Sequence, residues 1–165
     1  AALEETWKSV PKELKSRNDV LDSWFSNLMR AGMHEKAERE LAAELKRCWH
    51  QPLVRYYGLV KGSDSAKQLK CAEEWLKHHG EDPELLLAAA RLCLRNELWG
   101  KARSYLETVI AIRPTPDAFR EYGSLLNQLG EGEAAADAYR EGLKLVADTP
   151  LPAIPRLAAD HASTE

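Results

Sequence analysis

Cysteine is scarce in this chain and comes in an odd number. Cys48, Cys71 and Cys93 are widely spaced along 165 residues, which excludes an ordinary disulfide framework. They read as reduced, small hydrophobic residues, and that favours a reducing compartment. No run approaches the ~18 apolar residues of a membrane-crossing helix, and no signal peptide is evident. Phe is rare, with two copies. No stretch alternates with the period of two that a half-buried strand needs, so a sheet is not expected. The formal net charge is only −3, which lacks the large basic field of a general nucleic-acid or anionic-membrane binder.

Catalytic and metal signatures are also missing. His34, His50, His78, His79 and His161 share no zinc-ligand spacing with the cysteines. There is no CxxC pair, no Gly-rich phosphate loop and no assignable Ser–His–acid grouping. Glu38–Glu40 and Glu73–Glu74 read as solvated helix faces rather than paired catalytic acids. The sequence therefore predicts no enzyme, no catalytic residue, no metal and no cofactor. No linker is long enough to divide the chain in two.

Helix punctuation is what the chain does have. Helices are expected over 3–9, from Asn18 or Asp19 as an N-cap to about Ala31, and over 34–49. The second of these ends at Gly32. In the third, Ala37, Leu41 and Leu45 share one face. Pro52 suits a helix start, and Ser63 or Asp64 is a cap for a helix over 65–79. Asp82-Pro83 opens a helix running to about Asn96. Leu98-Trp99-Gly100 reads as a bend before 101–112. Helices over 116–129 and 132–146 follow, split by Gly130. Pro150, Pro152 and Pro155 then separate a short amphipathic tail. The five Trp (7, 24, 49, 75 and 99) read as core residues, with an aromatic anchor for a partner as the other reading.

The last two helix pairs carry one pattern twice, 33 residues apart. Leu86, Ala89, Ala90, Cys93, Ala102, Leu106, Val109 and Pro114 mark the first copy. Phe119, Tyr122, Gly123, Leu126, Ala135, Tyr139 and Gly142 mark the second. Small residues at Ala90, Ala102, Gly123 and Ala135 let paired axes approach, and larger neighbours fill the gaps. The pattern resembles the tetratricopeptide family, a helix–turn–helix unit of about 34 residues. An earlier unit fits 18–48, although Phe25 stands where a small residue is usual, and a weaker one fits 52–82. The fold class expected is all-α, a right-handed superhelical solenoid over 1–147. Its units are about 18–48, 52–82, 83–115 and 116–147, and residues 148–165 form a Pro-rich turn and short capping helix.

The tetratricopeptide resemblance implies a concave wall built by the first helix of each pair. It turns Glu84, Leu87, Arg91, Leu94 and Arg95 inward from the third unit, and Asp117, Arg120, Ser124, Asn127 and Gln128 from the fourth. Arg55 joins them from the second, and Asp22, Ser26 and Arg30 from the first. The partner-binding candidates are Arg55, Arg91, Leu94, Arg95, Arg120, Asn127 and Gln128. Arginine offers a planar fork for carboxylates, and Asn127 and Gln128 suit a peptide backbone. The ligand expected is an acidic segment or chain terminus of a protein. The competing reading has these arginines solvated, or paired with Glu84 and Glu121.

A closer resemblance rests on two stretches. One runs Gln68-Leu69-Lys70 to Glu74-Trp75-Leu76-Lys77-His78-His79-Gly80-Glu81-Asp82-Pro83-Glu84-Leu85-Leu86-Leu87. The other runs Arg91-Leu92-Cys93-Leu94-Arg95-Asn96-Glu97-Leu98-Trp99-Gly100-Lys101-Ala102-Arg103-Ser104-Tyr105-Leu106-Glu107. Together they resemble the C-terminal region of the HemY family, bacterial proteins associated with haem biosynthesis. The likeness covers about 15–147; His79-Gly80 departs from it where that family commonly has a Pro. It implies a parent protein anchored in the inner membrane by N-terminal helices, with the repeats on the cytoplasmic face. The start at Ala1-Ala2-Leu3, without Met, agrees with a fragment. It further implies a scaffold organising late haem-synthesis enzymes. The alternative it raises is a haem or porphyrin carrier, with axial ligation by His or Cys.

Overall fold

Residues 2–147 are described by a computed structural model. The Pro-rich turn and capping helix expected over 148–165 lie outside the described residues. Among the described residues all regular structure is α-helical, in nine helices. These are α1 (Ala2–Ser9), α2 (Asn18–Arg30), α3 (His34–Arg47), α4 (Gln51–Leu59), α5 (Ser65–Leu76), α6 (Pro83–Arg95), α7 (Trp99–Ile112), α8 (Pro116–Gln128) and α9 (Gly132–Lys144). None of them is long and apolar enough to cross a membrane.

Three of the helix pairs close with the same turn. Met33 N–H donates to Leu28 O, Leu98 N–H to Cys93 O, and Glu131 N–H to Leu126 O, each at 2.9 Å. The residue before each donor is left-handed: Gly32 (φ 70°), Glu97 (φ 58°) and Gly130 (φ 80°). This is a helix C-terminal motif in which the left-handed residue returns orphan carbonyls to hydrogen bonding. Glycine enters it without steric cost and Glu97 does not. The helix starts also repeat. Asp82 Oδ1 accepts from Glu84 N–H (2.9 Å) and Leu85 N–H (3.3 Å), and Thr115 Oγ1 accepts from Ala118 N–H (3.2 Å). A proline follows each cap, where its fixed φ suits the first turn and its missing N–H costs nothing.

The helix limits correct several expectations. Asn18 and Asp19 are not caps: Arg17 holds that position with no side-chain bond, and Asp19 pairs with Arg17 at 2.9 Å. Trp99-Gly100 is not a bend but the opening of α7, because the left-handed Glu97 completes the turn two residues sooner. Helix α5 stops at Leu76 and passes through turns to Gly80 rather than running to 79.

Packing follows the chain, with one exception. Successive helices touch from α1 to α4 and from α5 to α9; α2–α4, α4–α6 and α6–α8 also touch. Helices α4 and α5 make no close backbone approach and meet through side chains, Tyr57 against Trp75 and Gln68 donating to Tyr57 O. Helix α4 lies hard against α6, where Gly58 faces Ala88. A Cβ at Gly58 would sit 2.6 Å from Ala88 Cα. The small residues work as expected elsewhere. Ala90, Ala102 and Ala135 are fully buried, and Gly123 leaves room for the Tyr139 ring. Phe25, large where a small residue is usual, is also buried. The core runs from Leu21 and Trp24 through Tyr57, Leu85 and Leu92 to Leu106 and Leu125.

The tryptophans belong to this packing. Trp7 stacks on Trp24 (4.3 Å between centroids), which brings α1 onto α2. Trp24 Nε1 donates to Glu40 at 2.8 Å. Trp75 meets Trp49 and Tyr57, and Trp49 stacks on His79.

Candidate functional site

Helices α2, α4, α6 and α8 touch in series, and charged pairs cross between them. Asp22 of α2 receives Arg55 of α4 at 2.7 Å. Glu121 of α8 receives Arg91 of α6 at 2.9 Å, with Asp117 3.9 Å from the same guanidinium. Arg120 stands 3.4 Å from Asp117 and 3.6 Å from Glu121. Arg91 and Arg120 thus share one acidic pair.

The two arginines differ in availability. The Arg91 side chain is 7% exposed and that of Arg120 is 63% exposed. Arg91 is committed first to holding α6 against α8, because a buried guanidinium left without a partner is strongly destabilising. Arg120 keeps most of its surface in water.

Arg95 does a different job. It donates to Val60 O at 2.9 Å and Gly58 O at 3.1 Å. These carbonyls end α4, where a helix has orphan acceptors and a partial negative charge. Burial lowers the guanidinium pKa from its ordinary value, yet arginine remains charged at any physiological pH. Gln68 of α5 caps the same end, donating to Tyr57 O (2.6 Å) and Val60 O (3.2 Å).

Arg91, Leu94 and Arg95 line one cleft of about 260 Å³ with Gly58, Leu59, Lys61 and Glu121. This is the cluster into which the structure gathers three of the sequence-predicted residues. Lys61 is exposed at its edge and makes no ion pair among the described residues. Sequence reasoning missed it, since Lys61 falls in the α4–α5 connection where the repeat register breaks. Its position after Leu59-Val60 was the one available signal.

The remaining candidates scatter. Arg55 lies on α4 between Asp22 and the Tyr56 hydroxyl (3.1 Å). The hydrogen bond with Tyr56 is the main cause raising its pKa, and Asp22 adds to it. Asn127 points toward Tyr139 Oη at 3.5 Å, and Gln128 is exposed. Leu87 is buried in the core rather than on the wall. Glu84 pairs with Arg113, not with an arginine of the cleft. Cys93 is buried, Cys71 half-buried and Cys48 exposed. Among the described residues no three His, Cys, Asp or Glu side chains gather as metal ligands do.

Lys61 and Arg120 are the accessible cations of this region: Lys61 lines the cleft beside the paired Arg91 and Glu121, and Arg120 lines a neighbouring hollow with Tyr139 and Leu143. Compared with protein-family models and with curated proteins, the chain matches none.

Proposed function

We propose that this chain is a right-handed tetratricopeptide-like solenoid serving as a protein-interaction scaffold. Its receiving surface is the α4–α6–α8 face, and its ligand is an acidic segment or chain terminus. Three turns of one geometry, small residues at the helix seams and contacts between alternate helices support the architecture. The observation that carries the function is the cleft of Arg91, Leu94, Arg95 and Lys61, with accessible Arg120 on the same ion-pair cluster. The HemY resemblance extends the reading to late haem-synthesis enzymes as partners, at the cytoplasmic face of the inner membrane.

The test is a fluorescence-anisotropy titration with a labelled Asp/Glu-rich peptide bearing a free C-terminus, against a Lys-rich peptide of equal length. The acidic peptide binds and weakens with salt, as exposed ion pairs do. Lys61→Glu with Arg120→Glu reverses two exposed charges, each worth under about 1 kcal/mol. The double variant therefore binds about tenfold more weakly. Equal binding of both peptides, or an indifferent double variant, would overturn the proposal.

A further inference from the structure

A second cleft, of about 540 Å³, opens between α3 and α5. It exists because α5 packs on α6 and approaches neither α3 nor α4 by backbone. Its inner wall holds Gln68, 2% exposed. Both Gln68 N–H contacts run to carbonyl oxygens, Tyr57 O and Val60 O. That fixes the amide orientation, since the reverse would set oxygen against oxygen. Gln68 Oε1 is therefore turned away from α4. It is buried with no hydrogen-bond partner among the described residues.

Gly62 leaves a narrow gap beside this oxygen, at hydrogen-bonding distance from it. A Cβ there would lie 3.1 Å from Gln68 Oε1 and 3.1 Å from Glu38 Cγ. The Glu38 carboxylate stands next to it, accepting from the Tyr57 hydroxyl at 3.2 Å. It has no cationic partner among the described residues. The wall thus presents two neighbouring acceptors, one of them anionic. Arg39, Lys67 and Asp64 also line the cleft.

We propose that this cleft binds a primary ammonium group, held by Gln68 Oε1 and the Glu38 carboxylate. An ammonium brings three N–H donors on one atom and the charge that Glu38 lacks. A free amine and a lysine side chain share this chemistry. The site lies apart from the arginine cleft and does not depend on that cleft's role.

The experiment follows amide signals of the ¹⁵N-labelled chain during titration with n-butylammonium chloride, with n-butanol and sodium butyrate as controls. The Gln68 side-chain amide and the Gly62 amide shift together and saturate. Glu38→Gln keeps the Tyr57 hydrogen bond and removes the charge. Gly62→Ala closes the space without left-handed strain. Each weakens binding about tenfold or more, the factor of one charge-assisted hydrogen bond, while spectral dispersion stays native. Nα-acetyl-lysine methylamide, titrated in parallel, binds if a lysine side chain enters and fails if only free amines do. Shifts that never saturate would overturn the proposal. So would shifts equalled by butanol, or unaltered in whichever variant retains the native spectrum.

Discussion

Replacing Gly58 by alanine probes the tightest contact between helices. The new Cβ would meet Ala88 Cα at 2.6 Å, its Cβ at 3.0 Å and its carbonyl oxygen at 3.1 Å. Two of these three atoms belong to backbone, and α6 is itself packed on α5, α7 and α8. Since α6 cannot yield, α4 must retreat by about 1 Å to restore ordinary contact distances. That retreat also stretches the Arg95 bonds to Gly58 O and Val60 O. Overpacking of this kind costs about 3 kcal/mol at the upper end of its range. The better helix propensity of alanine returns about 1 kcal/mol. The net loss is about 2 kcal/mol, or a fall in Tm of roughly 4–8 °C for a chain of this size. Thermal unfolding followed by circular dichroism reads it. Gly123→Ala is the matched comparison, because its clash is with the Tyr139 ring at 2.6–2.8 Å. That ring is 38% exposed and can swing outward, so its cost stays within about 1 kcal/mol. A Gly58→Ala protein melting at or above the parent would refute the argument, since propensity alone would then account for it.

Three further outcomes follow from local geometry. Glu97→Gly relieves a left-handed glutamate and raises the urea midpoint by the equivalent of about 1 kcal/mol; a lowered midpoint contradicts the turn assignment. The Arg103 hydrogen bonds hold the Glu131 carboxyl below its ordinary pKa. A depressed folded-state pKa means that the pair's contribution is present above the unfolded value and lost as pH falls through the folded one. Arg103→Gln should therefore raise the Glu131 midpoint in an NMR titration, and an unmoved midpoint counts against the pair. Burial pushes the Cys93 thiol up to about 11, whereas Cys48 is exposed. Maleimide at neutral pH modifies Cys48 first and reaches Cys93 only in denaturant; the opposite order contradicts the described core.

What the sequence disclosed was mostly local. Asp82-Pro83, Asp64, Gly32 and Gly130 declare helix ends because capping and left-handed turns demand particular residue types. Ala102 and Ala135 declare seams because only small side chains fit there. Glu97 escaped notice because nothing in its chemistry announces a positive φ, and this misplaced the start of α7. The second unit read as the weakest fit, and what spaces its two helices is tertiary. Gly58 looks like any helical glycine until Ala88 lies against it, and Gln68 and Arg95 cap α4 from eight or more residues away. The face-bearing arginines were legible as a set, but their partners were not. That Arg91 meets Glu121 while Glu84 meets Arg113 depends on how α6, α7 and α8 are offset.

The receiving face itself can be tested by photo-crosslinking. A photoreactive amino acid placed at Leu94, in the floor of the arginine cleft, should capture the labelled acidic peptide on irradiation. The same group at the exposed Glu133 of α9 should not. Equal capture at both positions, or capture at Glu133 alone, would contradict the account.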